Sequence, residues 1–254
     1  MQNSFKVWFE SDATVVTAFV VTLVLGLVAL LYLCLRSRPN AAGRGTLPTP
    51  QQTLHLLQNR RTIAPKEFDG DSLTDLELNT LLEAANWAPT HGMTEPWRYV
   101  AIGGEDNILR YMSFLDQWYV EHADTLSEAA SEKFRAKFDG LVKVWPQKVS
   151  HLLLICMKRQ AREDKLMPEW EELSAVAMSV QNIHLMATAL GLGCFWSSHT
   201  WCKDARESVE LKEHFGFEAR DKILGCLVLG RYDTSKKYTS TRGPVLKKVQ
   251  FRTD

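Results

Sequence analysis

The sequence predicts one globular domain of alternating helices and short strands, preceded by a single transmembrane helix. Three observations carry that reading. Residues 13–35 hold no charged side chain and are dominated by Val, Leu, Ala and Phe. Residues 151–157 and 223–230 are continuous apolar runs of buried-strand length. Residues 167–190 are apolar nearly all round at helical spacing. The 254 residues allow one domain of about 200 residues plus an appendage. Thirty basic and thirty acidic side chains cancel, which leaves no electrostatic footprint for nucleic acid. The five cysteines, Cys34, Cys156, Cys194, Cys202 and Cys226, include no C-x-x-C pair. That argues against a disulfide framework or a zinc site and for a reducing compartment.

At 1.5 Å per residue a helix over residues 13–35 spans about 30 Å or slightly more, enough for a bilayer core. Lys6 is set against Glu10 and Asp12 upstream, while Arg36, Arg38 and Arg44 follow, so the positive-inside rule puts the C-terminal side in the cytoplasm. A cleaved signal peptide is the competing reading. It requires a basic n-region and a small-residue cleavage site, which Asn40-Ala41-Ala42 does not supply. The expected organisation is therefore a flank over residues 1–12, a span over 13–35, a Pro-, Gly-, Ala- and Arg-rich tether over 36–49 and a globular domain over 50–254. Fully extended, the tether reaches at most about 45 Å. The expected localisation is a single-pass membrane protein with its domain on the cytoplasmic side.

Thr49-Pro50 is an N-cap followed by proline at the first helical position, opening a helix through Leu57 with Leu54, Leu56 and Leu57 as its buried stripe. It ends at Asn59-Arg60-Arg61-Thr62. Adjacent arginines read either as solvated surface or as an anion site, since guanidinium forks suit phosphate or an enolate-like oxygen. Thr74-Asp75-Leu76-Glu77 is a capping box for a helix carrying Leu76, Leu78, Leu81, Leu82 and Ala85. A strand follows at Tyr99-Val100-Ala101-Ile102-Gly103, then a mostly helical stretch over residues 105–148. Its aromatic side chains, including Tyr111, Trp118, Phe134 and Trp145, read first as core.

The helix over residues 167–190, with small residues and methionines around its circumference, is expected to bury against another large surface such as a second subunit. Gly191 is placed to cap it in the left-handed conformation. Cys194-Phe195-Trp196-Ser197-Ser198-His199 is a short apolar strand that turns polar as it emerges: a plain strand end, or a place where backbone N–H groups and hydroxyls face a planar polar ligand. Residues 203–215 read as a surface helix, and 249–251 as a final strand-like piece after Thr241-Arg242-Gly243-Pro244.

Before the first strand lies Ala88-Pro89-Thr90-His91-Gly92-Met93-Thr94-Glu95-Pro96-Trp97. Two prolines and a glycine fix it as loop, and a polar loop at the mouth of a sheet is a common place for a site. His91 and Glu95 can titrate or hydrogen-bond there, and Trp97 offers a flat wall. An ordinary helix-to-strand connection is the other reading.

Three of these stretches, in this order, resemble the nitroreductase family of FMN enzymes. Arg60-Arg61-Thr62-Ile63-Ala64 with Phe68 resembles the family's Arg-Arg-Ser-x-Arg-x-Phe. Ala88 to Trp97 resembles its Ala-Pro-Ser-x-x-Asn-x-Gln-Pro-Trp, and residues 167–196 resemble its long helix closing in Gly-Leu-Gly followed by Trp. Ala88-Pro89-Thr90-His91 is similar to the Ala-Pro-Asp-His loop of a small bacterial subgroup. That subgroup also has the counterparts of Trp170-Glu171 and of Trp196-Ser197-Ser198. The likeness covers residues 50–254.

The resemblance implies an α+β fold with a mixed sheet flanked by helices and a homodimer with two flavin sites at the subunit interface. It implies noncovalent FMN, NAD(P)H as electron donor, and a nitroaromatic, quinone or similar small planar electron acceptor served by a ping-pong mechanism. No side-chain nucleophile and no metal are implied, because the flavin carries the chemistry. By the same likeness Arg60, Arg61 and Thr62 contact FMN on its phosphate and pyrimidine side, His91 and Trp196, Ser197 and Ser198 are further flavin contacts, and Arg242 reaches the phosphate. The sequence departs from the family at Met93, where most members have asparagine, and at Glu95 in place of glutamine. A carboxylate near the ring opposes the anionic reduced flavin. Trp87 replaces the subgroup's arginine. Two other readings stand beside this one: a membrane-anchored reductive dehalogenase resembling iodotyrosine deiodinase, whose substrate-clamping lid signature is not found over residues 105–148, and a non-catalytic binding module of the same fold.

Overall fold

The computed structural model describes residues 47–162 and 165–252, and a compact unit spans Gln52–Asp254. The first helices of the described chain are α1 (Pro50–Asn59) and α2 (Asp75–Asn86). The Thr74 side chain accepts from the Glu77 N–H while the Glu77 side chain accepts from the Thr74 N–H, the capping box read from the sequence. Strand β1 (Trp97–Gly103) leads into helices α3 (Glu105–Glu121), α4 (Glu128–Leu141) and the short α5 (Trp145–Lys148). Strand β2 (His151–Met157) follows, then a small hairpin of β3 (Ala161–Arg162) and β4 (Lys165–Leu166). Helix α6 (Glu169–Ala189), strand β5 (Gly193–Ser197), helices α7 (Lys203–Glu207) and α8 (Val209–His214), and strand β6 (Lys222–Gly230) complete the unit.

The main sheet has the order β1-β2-β6-β5, and every pairing in it is antiparallel. The mixed sheet expected from the resemblance is thereby corrected. The strand-like residues 249–251 supply no further strand: they follow a 3-10 turn at Val245–Lys248, and Phe251 is exposed. An extended segment becomes a strand only where an edge pairs its N–H and C=O groups.

Strand β2 is buried on both sides because it lies inside the sheet. Leu152, Leu154 and Cys156 face one core with Ile102, Cys226 and Val228, beneath the aromatic side chains of α3 and α4. Leu153, Ile155 and Met157 face the other with Leu227, Leu229 and the inner sides of α2 and α6. This period-2 alternation is the geometry of any strand; burial on both faces is what makes the run continuously apolar.

Helix α6 ends as a Schellman motif: Gly191, at φ 69°, follows the cap, its N–H donates to the Thr188 carbonyl, and the Leu192 N–H reaches the Ala187 carbonyl. Its start is tied to the end of β2 by a buried ion pair. Arg159 Nη1 lies 2.5 Å from Glu172 Oε2, with side-chain exposures of 9% and 1%, while the other carboxylate oxygen accepts from the Gln160 N–H.

Two further expectations are corrected. Helix α1 buries no residue; Leu54 and Leu57 are exposed and Leu56 is half-buried. An apolar stripe names the face a helix would bury, but nothing among the described residues covers this one. The single-pass membrane placement is also withdrawn. Among the described residues no helix is long and apolar enough to cross a membrane. The longest of them, α6, carries three glutamates in its first turn and buries much of its apolar surface in the core. The span expected over residues 13–35 lies outside the described residues.

Candidate active site

The segment leaving α1 runs beside the edge strand β5, where the Ile63 N–H donates to the Cys194 carbonyl at 3.2 Å. Here Arg60 and Arg61 part ways. Arg61 is bound to backbone, donating to the carbonyls of Tyr238 (3.0 Å), Gln58 and Arg60. Arg60 is half-buried, and its guanidinium has no hydrogen bond or ion pair among the described residues. Arg242 bends onto Ser240 Oγ and the Thr241 carbonyl. All three arginines, with Ser240, line one cleft of about 550 Å³ that no carboxylate among the described residues lines. Thr62 is exposed and does not line it. Three guanidinium groups thus meet without a counter-charge among the described residues, and planar forks of this kind suit phosphate.

The groups behind Arg60 are kept uncharged. Burial, with the Arg60 guanidinium adding, pushes His184 down to about 4, and burial pushes the Cys194 thiol up. His184 Nε2 lies 3.8 Å from Cys194 Sγ.

Trp196, Ser197 and Ser198 line a second cleft, of about 480 Å³. Their position depends on a bulge in β6, where the register against β2 shifts between Ile155 and Cys156. The carbonyl of Leu224, the extra residue, accepts from Trp196 Nε1 at 3.4 Å. The adjoining Gly225 has φ 114°, and a Cβ there would stand 2.1 Å from the Ser197 carbonyl oxygen. Gly225→Ala is expected to destabilise the fold by about 2–4 kcal/mol, from backbone strain and overpacking together. Urea denaturation measures this loss.

Beyond Ser198 the chain turns at His199, a buried residue in the left-handed region at φ 51°. Its ring lies 3.3 Å from Tyr111 Oη through Nδ1 and 3.0 Å from Cys226 Sγ through Nε2. Burial, with Arg206 adding, pushes its pKa down to about 3. His184 and His199 thus stay neutral in the folded chain but bind protons in the unfolded chain below its ordinary value of 6.5. Unfolding takes up protons in that window. Their stabilising contribution is fully present above pH 6.5 and is lost as pH falls towards 4 and 3. The slope is at most about 1.4 kcal/mol per pH unit for each histidine. Urea midpoints at neutral and acid pH check the slope, which becomes shallower in His184→Gln.

His91 sits apart from both clefts. Its Nε2 lies 3.2 Å from Glu171 Oε2 in the first turn of α6, and the ring is exposed. The loop around it is strained: Met93 and Glu95 take φ 56° and 44°, held by Thr90, whose hydroxyl accepts from the Glu95 N–H. Met93 is 88% exposed. The three non-glycine residues at positive φ among the described residues, Met93, Glu95 and His199, all fall in or directly beside stretches that the sequence marked as candidate sites. Each costs about 1–3 kcal/mol, a cost that structures hold chiefly at functional positions. Sequence reasoning missed His184, since a histidine among apolar neighbours reads as ordinary core, and it missed Ser240; it included His199 in the Cys194 to His199 stretch without giving it a role.

A family model described as Nitroreductase family matches residues 57–231 of the chain. Among curated proteins, the "Putative NAD(P)H nitroreductase YdjA" of Escherichia coli K12 is 28% identical over 180 residues, covering 70% of this chain and 86% of that protein. Among solved structures, a nitroreductase-like family protein from Bacillus cereus superposes with a TM-score of 0.61 at 21% identity, covering 81% of this chain and 98% of that one. A nitroreductase from Bacteroides fragilis, solved with bound FMN, superposes with a TM-score of 0.58 at 16% identity, covering 80% and 99%.

Proposed function

This chain belongs to the nitroreductase family, and on that premise we propose that it is an FMN-dependent oxidoreductase. It takes electrons from NAD(P)H and gives them to a nitroaromatic, quinone or similar small planar acceptor in a ping-pong sequence. The observation that carries this reading is the cleft of Arg60, Arg61, Arg242 and Ser240, which no carboxylate among the described residues lines, a donor set that fits the phosphate of FMN. Bound there through Arg60, Arg61 and Arg242, FMN would supply the redox chemistry between the nicotinamide and the acceptor.

The chain's own groups bind and orient. Arg60 brings an unpaired cation to the anion, and the neutral His184 behind it adds no competing charge. Arg61 holds the segment in place through the carbonyls of Tyr238 and Gln58, so its role is partly structural. Arg242 closes the cleft from the C-terminal segment, and Thr62, next to Arg61 in sequence, carries an exposed hydroxyl. Trp196, Ser197 and Ser198 form a wall and a set of polar donors at the strand end.

His91 lines neither cleft of its own chain, and a homodimer with sites at the subunit interface gives it a place. Support comes from α6, where Trp170, Leu173 and Met178 are exposed at helical spacing, an apolar stripe of the kind that marks an association surface.

Steady-state rates of NADPH oxidation at several fixed menadione concentrations test the reading on protein that sediments as a dimer. Parallel double-reciprocal lines are expected. Intersecting lines contradict the ping-pong sequence, and no oxidation at all favours the non-catalytic binding module.

A further inference from the structure

We infer that the cleft beside Trp196 is a binding site for a planar aromatic carboxylate, and that acceptors bearing such a group are the ones this chain selects. The inference rests on the flavin reading above for its link to catalysis, but the site itself stands on three observations.

The first is the shape and lining of the cleft. Its volume of about 480 Å³ is bounded by Trp145, Phe195, Trp196 and Trp201, within the range of small-molecule sites. Aromatic walls favour a flat π-face through stacked or edge-on contact. These walls are braced from behind: the His199 ring packs 6.1 Å from Trp145 and 5.4 Å from Trp201, and Phe134 stacks 5.8 Å from Trp201.

The second is charge. Lys66 and Lys137 line the cleft and no carboxylate among the described residues does. Neither ammonium group has an ion pair or hydrogen bond among the described residues. Glu67, the carboxylate nearest Lys66 in sequence, is occupied by Lys236 at 3.0 Å.

The third is an unmet donor. Trp201 is 8% exposed, and its indole N–H is buried with no acceptor among the described residues. A buried donor left unpaired is costly, and because this one is closed to solvent a ligand oxygen reaches it only with a shift of the Trp201 ring towards the cleft it lines. A neutral quinone fills the walls but leaves both ammonium groups unused. A carboxylate on the ring answers them.

The test uses the full chain and two probes of nearly equal shape, 4-nitrobenzoate and its neutral isostere 4-nitrobenzamide, titrated against tryptophan emission. The wild type is expected to bind the carboxylate at least about tenfold more tightly, and the ratio to fall below about threefold in Lys66→Ala/Lys137→Ala; every tenfold is 1.4 kcal/mol. In the wild type the preference is expected to shrink as salt rises, because both lysines are exposed. Equal affinity for the two probes, or a preference that survives the double substitution, overturns the inference. Emission reports binding without NAD(P)H, so the two readings fail separately. A chain that prefers nitrobenzoate yet oxidises no NADPH keeps the site and loses the flavin reductase; one that reduces both probes alike keeps the reductase and loses the site.

Discussion

Arg60→Ala weakens FMN binding by about ten- to a hundredfold while leaving the thermal midpoint nearly unchanged. The size follows from a charge-assisted hydrogen bond to phosphate, about 1.5–3 kcal/mol. The selectivity follows from what Arg60 does in the fold. Its guanidinium has no partner among the described residues, so its loss removes no internal bond, while the cleft it lines offers no carboxylate that its removal would strand. Arg61→Ala behaves differently, because Arg61 ties the carbonyls of Gln58 and Tyr238 together, and it lowers stability and flavin affinity at once. Flavin fluorescence quenching gives the affinities and circular dichroism the midpoints. An Arg60→Ala protein with wild-type affinity, or one that loses affinity only because it unfolds, removes Arg60 from the binding site.

Glu172→Ala has the largest expected effect on stability, about 3–5 kcal/mol. Glu172 receives Arg159 and the Gln160 N–H, so its removal leaves a buried guanidinium and a backbone donor unanswered. Arg159 also donates to the Met167 carbonyl. The network therefore ties the end of β2 to the start of α6, which carries Glu171, the partner of His91. Guanidinium denaturation measures the loss. A change below about 1 kcal/mol shows that water or a rearranged partner satisfies Arg159.

Much of this fold was legible in the sequence where a local rule decided it. The limits of β2 matched its apolar run because a strand inside the sheet is buried on both faces. The Thr74 and Glu77 capping box started α2, and Gly191 ended α6, because each supplies a specific backbone bond. Where the deciding partner was distant in sequence, the pattern fell short. Leu54 and Leu57 marked an apolar face without anything to cover it. The expected surface helix over residues 203–215 broke at Ser208, whose hydroxyl caps α8 by accepting from the Leu211 N–H. The antiparallel strand order could not be read from periodicity, and the resemblance had implied a mixed sheet.

The candidate site divides in the same way. Arg60, Arg61 and the Trp196 strand end were marked by residue type and position. The meeting of the first two with Arg242 needed the resemblance, and the buried neutral histidines needed the fold.

The most direct test of the central claim is the visible absorption spectrum of the purified chain, before and after anaerobic NADPH. A yellow protein is expected, with flavin bands that bleach on NADPH and return on adding a quinone. A colourless protein that takes up no added FMN, although folded, contradicts that claim.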